Sequence, residues 1–298
     1  MSKQQYIKRY NLIINKLRRK PCSFVEIQDY LQLQSEIYSV NYELSIRTFQ
    51  REIKEIEANY DIVIEYDKSQ SAYKITHDGN EIRNERLMET FYIIDALKIS
   101  NSLSNQLILE KRRPLGTNNM NLFIHAIKNN LEVNFNHQKF WDDVKKTRIT
   151  QPLALKESRN RWYLIALDTK DNIIKTFGLD RISDLEITKK KFVPLENYNP
   201  DEAFRDSFGI IVGDKEAKKI VLSFTFEQGK YIKSLPLHPS QKAIIDNEKE
   251  FRIELFMRPT YDFVMELLSI GAEVKVLKPK ILKEEIKSKL LKTLNLYK

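Results

Sequence analysis

Apolar side chains in the N-terminal part of the chain recur with the period of an α-helix. Residues 5–19 gather them on one side, with most basic residues elsewhere, and this pattern predicts a first helix. Ser23 and Glu26 have the spacing of an N-terminal capping box and predict a second helix that begins at residue 24. A polar stretch over residues 32–43 separates these two helices from a third.

The third predicted helix combines an apolar stripe with a polar outer surface. Ser45 is its expected N-cap, and the apolar residues that follow at helical spacing indicate a buried stripe of Ile46, Phe49, Ile53 and Ile56. The side chains left on the outer faces are those of Arg47, Thr48, Gln50, Arg51 and Lys54. Polar side chains near the beginning of such a helix can contact phosphates and base edges in the major groove of DNA.

Two short strands follow the third helix. Residues 62–66 and 72–76 have a strand-like pattern around a polar turn that contains Lys68. The order of three helices and a hairpin predicts a winged helix-turn-helix domain over residues 1–78, in which Lys68 lies where a wing would contact a phosphate. From periodicity alone, a DNA-binding surface and an ordinary solvated helix face both stay open.

The next segment returns to the helical period. Residues 84–105 and 119–130 carry apolar residues at helical spacing, and a basic, Pro- and Gly-containing stretch interrupts them. The pattern predicts a helical connector over residues 79–130, with a structural role and a contribution to a dimer interface.

From residue 131 the period changes to about two. Five short strand patterns within some 60 residues predict a small curled antiparallel β-barrel over residues 131–193, with Pro152 restricting its strand to an edge or a bulge. An acidic linker follows. Residues 204–298 then alternate strand and helix patterns and predict a separate α+β module, so that the whole chain is expected to be an α+β multidomain protein.

The charge of the chain favours a polyanionic partner only through the placement of its basic residues. The net charge is +9, from 50 Lys and Arg against 41 Asp and Glu. Residues 1–76, however, hold 12 basic against 10 acidic residues. A single cysteine, Cys22, cannot form an internal disulfide, and the N-terminus resembles no signal peptide. No apolar run approaches the roughly 20 residues that span a bilayer, so a cytoplasmic protein without membrane association is expected.

The sequence offers little for catalysis. Its four histidines are scattered without a helical i, i+4 pair, and one cysteine cannot build a zinc cluster. Phosphate-binding glycine motifs do not occur. The adjacent carboxylates of Asp142 and Asp143 lie near a tryptophan and lysines, which a solvated turn explains. We therefore expect no enzyme, no metal ion and no cofactor; metal-dependent cleavage of DNA that Asp142→Ala abolishes would contradict this.

Two stretches of the N-terminal domain resemble a known family. The run S-I-R-T-F-Q-R-E-I, from Ser45 to Ile53, and the hairpin strand A-Y-K-I are similar to the recognition helix and wing of DeoR-like winged helices. Glu52 stands where that family usually has Asp. The resemblance implies DNA contacts by the polar residues of the third helix and the wing, namely Ser45, Arg47, Thr48, Gln50, Arg51, Lys54 and Lys68.

The middle of the chain carries a more specific resemblance. The ordered set P-L-A-L, R-W-Y-L-I-A-L-D and F-G-L-D-R-I, within residues 152–182, is similar to the WYL domain, an Sm-like β-barrel. The resemblance implies that the barrel binds an anionic ligand, a nucleotide or an oligonucleotide. The candidate ligand-binding residues are His137, Arg148, Arg161, Tyr163 and Arg181. Where family members often have a further Arg before L-D-R-I, this chain has Lys175 and Gly178.

The phrase F-R-D-S-F-G-I after residue 203 and the pattern that follows are similar to the C-terminal extension of WYL proteins, a ferredoxin-like module. Together the resemblances imply a ligand-responsive transcriptional regulator, with a repressor as the favoured form. It is expected to bind a palindromic double-stranded operator as a homodimer and to control a phage-defence locus. Two alternatives stay open. One is an activator of the same architecture, and the other is an RNA- or single-strand-binding module whose winged helix contacts protein.

Overall fold

The computed structural model describes residues 3–81, 83–87, 89–90, 93, 116–212 and 216–298. The chain divides into two compact units, residues 1–110 and 111–298. Helices and antiparallel sheets occur in both, which confirms the predicted α+β class. Most of the predicted connector helix over residues 84–105 lies outside the described residues; residues 83–87 and 89–90 are helical.

The first unit contains three helices followed by a two-stranded antiparallel hairpin, the predicted order of a winged helix. These elements are α1 (Lys3–Arg19), α2 (Phe24–Tyr38), α3 (Ile46–Tyr60), β1 (Ile62–Asp67) and β2 (Ala72–Asp78). The capping box that begins α2 is present, because Ser23 Oγ accepts a hydrogen bond from the Glu26 backbone at 3.3 Å and the Glu26 side chain accepts one from the Ser23 backbone at 2.8 Å.

One apolar core holds the three helices and the hairpin together. Phe49 of α3 is fully buried at its centre, where its ring lies 5.4 Å from that of Phe24 and 4.8 Å from that of Tyr73. Ile27 of α2 and Ile56 of α3 are also fully buried. Since α1, α2, α3 and β2 all contribute to this core, its packing fixes which side of α3 faces solvent.

Two predictions about this unit need correction. The helix α2 continues through much of the polar stretch and ends at Tyr38, where Ser39 adopts a left-handed C-cap, so the connection to α3 is only residues 39–45. The predicted buried stripe of α3 also differs at its first residue: Ile46 is 43% exposed, because the core begins one turn later at Phe49.

The first α-helix that the structure describes in the second unit is α4 (Met120–Asn129), which packs into the barrel core rather than forming part of a connector. Phe123 and Ala126 of this helix are fully buried in the same core as Phe135 and Phe177 of the adjacent sheet. The prediction placed this helix within residues 79–130 because its helical period gave no sign of what it packs against.

The barrel is a five-stranded antiparallel sheet that curls around one core. Its strands are β3 (Leu131–His137), β4 (Lys146–Ser158), β5 (Arg161–Asp168), β6 (Ile173–Gly178) and β7 (Ile182–Lys191), in the spatial order β6-β5-β4-β3-β7. The first part of β4 pairs with β3 and the remainder with β5, and a bulge lies between Pro152 and Ala154. The bulge accommodates the proline, as predicted, and bends the sheet. A 3₁₀ turn, Leu179–Arg181, connects β6 to β7.

The C-terminal part has the βαββαβ order of a ferredoxin-like module, which confirms that prediction. After α5 (Pro200–Phe204), its elements are β8 (Lys218–Phe224), α6 (Phe226–Ser234), β9 (Lys242–Asp246), β10 (Phe251–Met257), α7 (Tyr261–Ile270), β11 (Val274–Lys278) and α8 (Lys280–Asn295). The strand order is β11-β8-β10-β9, with all pairs antiparallel. The alternating pattern predicts that the first strand continues to Phe226, whereas Thr225 caps a helix there.

In the part of the chain that the structure describes, no helix is long and apolar enough to cross a membrane.

Candidate DNA-binding helix and ligand site

The N-terminus of α3 has a regular cap. Ser45 precedes the helix in an extended conformation, and its Oγ accepts a hydrogen bond from the Thr48 backbone at 3.3 Å. The Thr48 hydroxyl lies 3.1 Å from the same Oγ. Ser45 is exposed and Thr48 is half-buried, so the cap orders the first turn of α3 at the protein surface.

The exposed side of α3 carries the residues that the sequence predicted. Arg47, Gln50, Arg51 and Lys54 are all exposed, and they succeed one another along the first three turns of the helix. Lys68 is exposed as well, in the turn between β1 and β2. The structure therefore presents three cations and one amide on a single helix, with a further cation at the tip of the hairpin of the same domain.

The opposite side of α3 is anchored by a buried ion pair that sequence reasoning missed. Glu52 is fully buried, and its carboxylate accepts hydrogen bonds from the Arg9 guanidinium of α1, with Nε at 2.9 Å from Oε2 and Nη2 in closer contact with Oε1. The helical pattern had indicated an outer-face position for Arg9. The signal was the spacing of Glu52, which places its carboxylate inside the apolar stripe of Phe49, Ile53 and Ile56.

The five predicted ligand-binding residues lie in two neighbouring groups on the barrel, and Arg181 belongs to both. His137 ends β3 and is 7% exposed, with its ring 5.2 Å from that of Phe177. Burial, together with the nearby charges of Arg181, Arg148 and Lys139, lowers the pKa of His137 to about 4, against a smaller opposing effect of Asp180. His137 is thus a neutral side chain at the mouth of the barrel core, surrounded by cations.

The second group surrounds the 3₁₀ turn between β6 and β7. Arg161 Nη1 lies 3.0 Å from Asp180 Oδ2, and the Arg181 Nε lies 3.6 Å from Asp180 Oδ1. Burial raises the pKa of the Tyr163 hydroxyl, while the charges of Arg161 and Arg181 act in the opposite direction. Arg161, Tyr163 and Arg181 are therefore close enough to act on one ligand.

Arg148 is less available than the other candidates. Its Nη1 donates to Asp168 at 2.8 Å, and Asp168, almost fully buried, also accepts from Lys175 at 2.8 Å. Lys175, which stands near the position of the further family arginine, additionally pairs with Asp171. The structure thus uses Arg148 and Lys175 to neutralise a buried carboxylate.

Gly178 gives the Arg181 guanidinium the space that it occupies. A Cβ at this position would lie 2.6 Å from Nη2 of Arg181 and 2.5 Å from Oδ1 of Asp180, both far inside van der Waals contact. The Nε atoms of Arg148 and Arg181 and Nε2 of His137 are buried without a hydrogen-bond partner among the described residues. Unsatisfied buried polar atoms of this kind are costly unless a ligand or solvent pairs with them.

Two aromatic residues beside this cluster were missed. Phe140 and Trp141, in the connection between β3 and β4, are 67% and 79% exposed. The Arg181 and Arg161 guanidinium carbons lie 4.8 Å and 5.7 Å from the Phe140 ring centroid, and Lys139 Nζ lies 5.8 Å from that of Trp141. The available signal was two successive aromatic residues within a basic polar loop, next to the acidic pair that was considered for catalysis.

Asp142 ends a turn in which its backbone N–H donates to the Lys139 carbonyl at 3.2 Å. Asp142 accepts hydrogen bonds from the Val144 backbone at 3.1 Å and from Lys146 at 2.8 Å, which lower its pKa. Among the described residues, no group of three or more histidine, cysteine or carboxylate side chains is arranged to hold a metal ion.

Comparison with protein families identifies both C-terminal domains. The model described as the WYL domain matches residues 118–187, and the one described as the WCX domain matches residues 216–294. The chain is a WYL and WCX domain protein. The WYL match includes α4, in agreement with the position of this helix in the barrel core, and the WCX match covers the ferredoxin-like module.

Two solved structures are similar to this chain over most of its length, at low identity. Proteasome accessory factor B/C (PafBC) of Arthrobacter aurescens is 16% identical with a TM-score of 0.35, over 95% of this chain and 46% of that one. A CRISPR Cas-related protein is 12% identical with a TM-score of 0.41, over 99% of this chain and 85% of that one. The chain thus spans less than half of the PafBC chain. Comparison with curated protein sequences gives no match.

The WYL domain contacts the WCX domain beside the ligand-site residues. Arg159, in the turn between β4 and β5, forms an ion pair with Glu266 of α7 and lies 5.8 Å from the Phe208 ring. Asp262, at the beginning of α7, accepts a hydrogen bond from the Ile210 backbone at 2.9 Å and is close enough to Tyr163 to raise its pKa. Tyr163, a candidate ligand-binding residue, is therefore within electrostatic reach of a WCX helix.

Proposed function

We propose that this protein is a transcriptional regulator that binds a double-stranded operator through α3 and the β1–β2 wing and responds to an anionic ligand at the WYL domain. The observation that carries the proposal is the exposed side of α3, where Arg47, Gln50, Arg51 and Lys54 stand above a fully packed core. The DNA-binding residues are these four with Ser45, Thr48 and Lys68.

The charge distribution of α3 supports a polyanionic partner more strongly than the nearly balanced charge of the domain does. Glu52 is the only carboxylate between Ile46 and Lys54, and it is buried and paired with Arg9. The exposed Glu55 follows Lys54 and accepts a hydrogen bond from Tyr10. The solvent-facing side of the first two turns therefore carries the charges of Arg47 and Arg51, and Lys54 follows on the third turn beside Glu55. Arginine suits guanine edges and phosphates, and glutamine suits adenine.

The WYL site supports an anion that also has planar groups, as nucleotides and oligonucleotides do. Arg181 and Arg161 supply guanidinium groups for phosphate, with the neutral His137 beside them. Phe140 and Trp141 supply exposed rings on which bases can stack. Arg148 contributes mainly by holding Asp168, so we assign it a supporting role.

We further propose a homodimer on an inverted repeat, because two copies of α3 related by a twofold axis match half-sites about one or more helical turns apart. Repression is preferred, since a two-state sensor of this size then needs no surface for polymerase. A coupling of roughly 1–3 kcal/mol between ligand and operator changes affinity about 5- to 150-fold, which is enough to switch a promoter. The resemblance to WYL regulators favours a phage-defence locus as the target, and the neighbouring genes test this.

The test of DNA binding begins with selection of a preferred site from random duplexes, followed by gel-shift competition in a salt series. We expect an inverted repeat that unlabelled single strands compete away only at much higher concentration. Arg47→Ala or Arg51→Ala should weaken binding and reduce the slope of log affinity against log salt by about one for each phosphate that the variant no longer neutralises. Arg19→Ala, at an exposed arginine that ends α1, is the matched control and should bind as the wild type does.

Competition by single-stranded DNA or RNA at equal or lower concentration would instead identify a single-strand-binding module. The absence of any preferred duplex would overturn the proposed function.

A further inference from the structure

Ile46 is the first residue of α3, and its side chain is 43% exposed although the apolar stripe of the helix predicts burial. Isolated exposed isoleucines are common on protein surfaces, so exposure alone has no functional meaning. What distinguishes Ile46 is its place: it lies between the N-cap Ser45 and Arg47, on the turn of a recognition helix that enters the major groove first.

Ile46 is not part of the buried core of the domain. The core contacts of α3 begin at Phe49, which is fully buried, and a β-branched residue is a poorer helix former than alanine or a straight-chain residue. A charged or polar side chain at position 46 would be better solvated in the free protein and better attracted to phosphate. The isoleucine therefore suits an apolar partner that is absent from the free protein.

The major groove offers one such partner. Among the four base pairs, only those with thymine present a methyl group there, and apolar side chains contact it. Gln50 lies one helical turn after Ile46, on the same side of α3, and its amide is the type that pairs with adenine N6 and N7. Ile46 and Gln50 together fit a groove edge on which adenine and thymine are presented side by side.

We propose that Ile46 is a specificity-determining residue that contacts the C5 methyl group of a thymine in each operator half-site. This inference rests on the proposed binding of duplex DNA by α3 and goes beyond it by assigning a base to an apolar side chain. Burial of one methyl group is worth about 0.8 kcal/mol, which corresponds to a roughly fourfold change in affinity per half-site.

The experiment uses the full chain and the site selected from random duplexes. Each thymine is replaced in turn by deoxyuridine, which lacks only the methyl group, at the symmetric positions of both half-sites. At one position we expect the wild type to lose about 16-fold in affinity, fourfold for each half-site. Ile46→Ala should bind the thymine and uracil versions of that site equally, with the affinity that the wild type shows for uracil.

Ile37→Ala provides the matched control, because Ile37 is an exposed isoleucine near the end of α2, in the same domain. It should keep the wild-type preference for thymine. If no replacement by deoxyuridine weakens the wild type, or if Ile46→Ala keeps the same preference, the assignment of Ile46 is wrong while DNA binding by α3 stands. A wild type that selects no duplex at all overturns both proposals.

Discussion

At the scale of single residues, the buried pair of Glu52 with Arg9 attaches α3 to α1. A buried carboxylate is costly unless it is paired, and its partner Arg9 comes from α1, 43 residues away in sequence. The spacing of apolar residues predicts the stripe but says nothing of a charge within it. A pair that is distant in sequence becomes visible only when the two helices are placed together.

Removing one partner of this pair should therefore destabilise the winged helix. We expect Glu52→Ala to lower the free energy of unfolding of the winged helix by about 3–5 kcal/mol, because the Arg9 guanidinium is then buried without its carboxylate. Urea unfolding, followed by circular dichroism, measures the loss. Glu57→Ala, at an exposed carboxylate of the same helix, should change it by less than about 0.5 kcal/mol. Equal effects of the two changes would contradict a structural role for the ion pair.

His137 should make the WYL domain sensitive to acid. Its pKa is about 4 in the folded protein, whereas an unfolded histidine has a pKa of about 6.5. As the pH falls from 7 to 5, His137 becomes protonated in the unfolded chain but stays neutral in the folded chain. The contribution of this residue therefore lowers the free energy of unfolding by about 2 kcal/mol.

The measurement is urea unfolding at pH 7 and pH 5. His137→Leu should lose about 2 kcal/mol less than the wild type between the two pH values, whatever its stability at pH 7. His125→Leu, at an exposed histidine on α4, should follow the wild type. A His137→Leu protein with the full pH dependence would show that other groups cause it.

At the scale of elements, the periodic pattern predicted what has a strong local signal. The capping box of α2 and the cap of α3 were placed correctly because they depend on residues three positions apart. The end of α2 was placed too early, because its last turns are polar on most sides. The helix ends at Tyr38, and Ser39 is a left-handed C-cap. Ile46 was assigned to the core because helical period alone does not reveal where along a helix its packing partner begins.

The cap of α3 allows stability and DNA binding to be separated. Ser45→Ala should destabilise the winged helix by about 1 kcal/mol through loss of the N-cap. Ser45→Asp keeps a good N-cap and should leave stability nearly unchanged, but it places a negative charge where α3 approaches phosphate and should weaken operator binding. Thermal unfolding and gel shift on both variants check this. Undiminished operator affinity of Ser45→Asp would place the N-terminus of α3 away from DNA.

At the scale of the whole molecule, the domain order followed from motifs and changes of period. The WYL signature and the alternating strands located the barrel, and the later pattern identified the ferredoxin-like module. The helix α6 lacks a comparable pattern and was missed. The arginines of the candidate ligand site were predicted from the family resemblance. Phe140 and Trp141 were missed because exposed aromatic residues in a loop follow no helix or strand periodicity.

The two units should also separate by function. We expect Arg181→Ala and Tyr163→Ala to bind the operator as the wild type does, and to lose any change in operator affinity on addition of a mixed-sequence hexanucleotide. Arg47→Ala should bind the operator more weakly and still bind the hexanucleotide as the wild type does. Gel shifts with and without the oligonucleotide, together with calorimetry, make the comparison. Loss of operator binding in both groups of variants would refute this division between the units.

The positions of the tryptophans have a practical consequence. The chain has only two, Trp141 and Trp162, and both lie within the WYL match. Trp141 is almost fully in contact with solvent, whereas Trp162 packs against the barrel core. Tryptophan emission, excited at wavelengths that tyrosine does not absorb, thus comes from the WYL domain alone. We expect a base that stacks on Trp141 to quench the emission of this exposed residue, Trp162 to serve as an internal reference, and contacts of α3 with DNA to leave the tryptophan emission unchanged. Binding of the proposed ligand could accordingly be measured without a dye on a complex with the proposed operator.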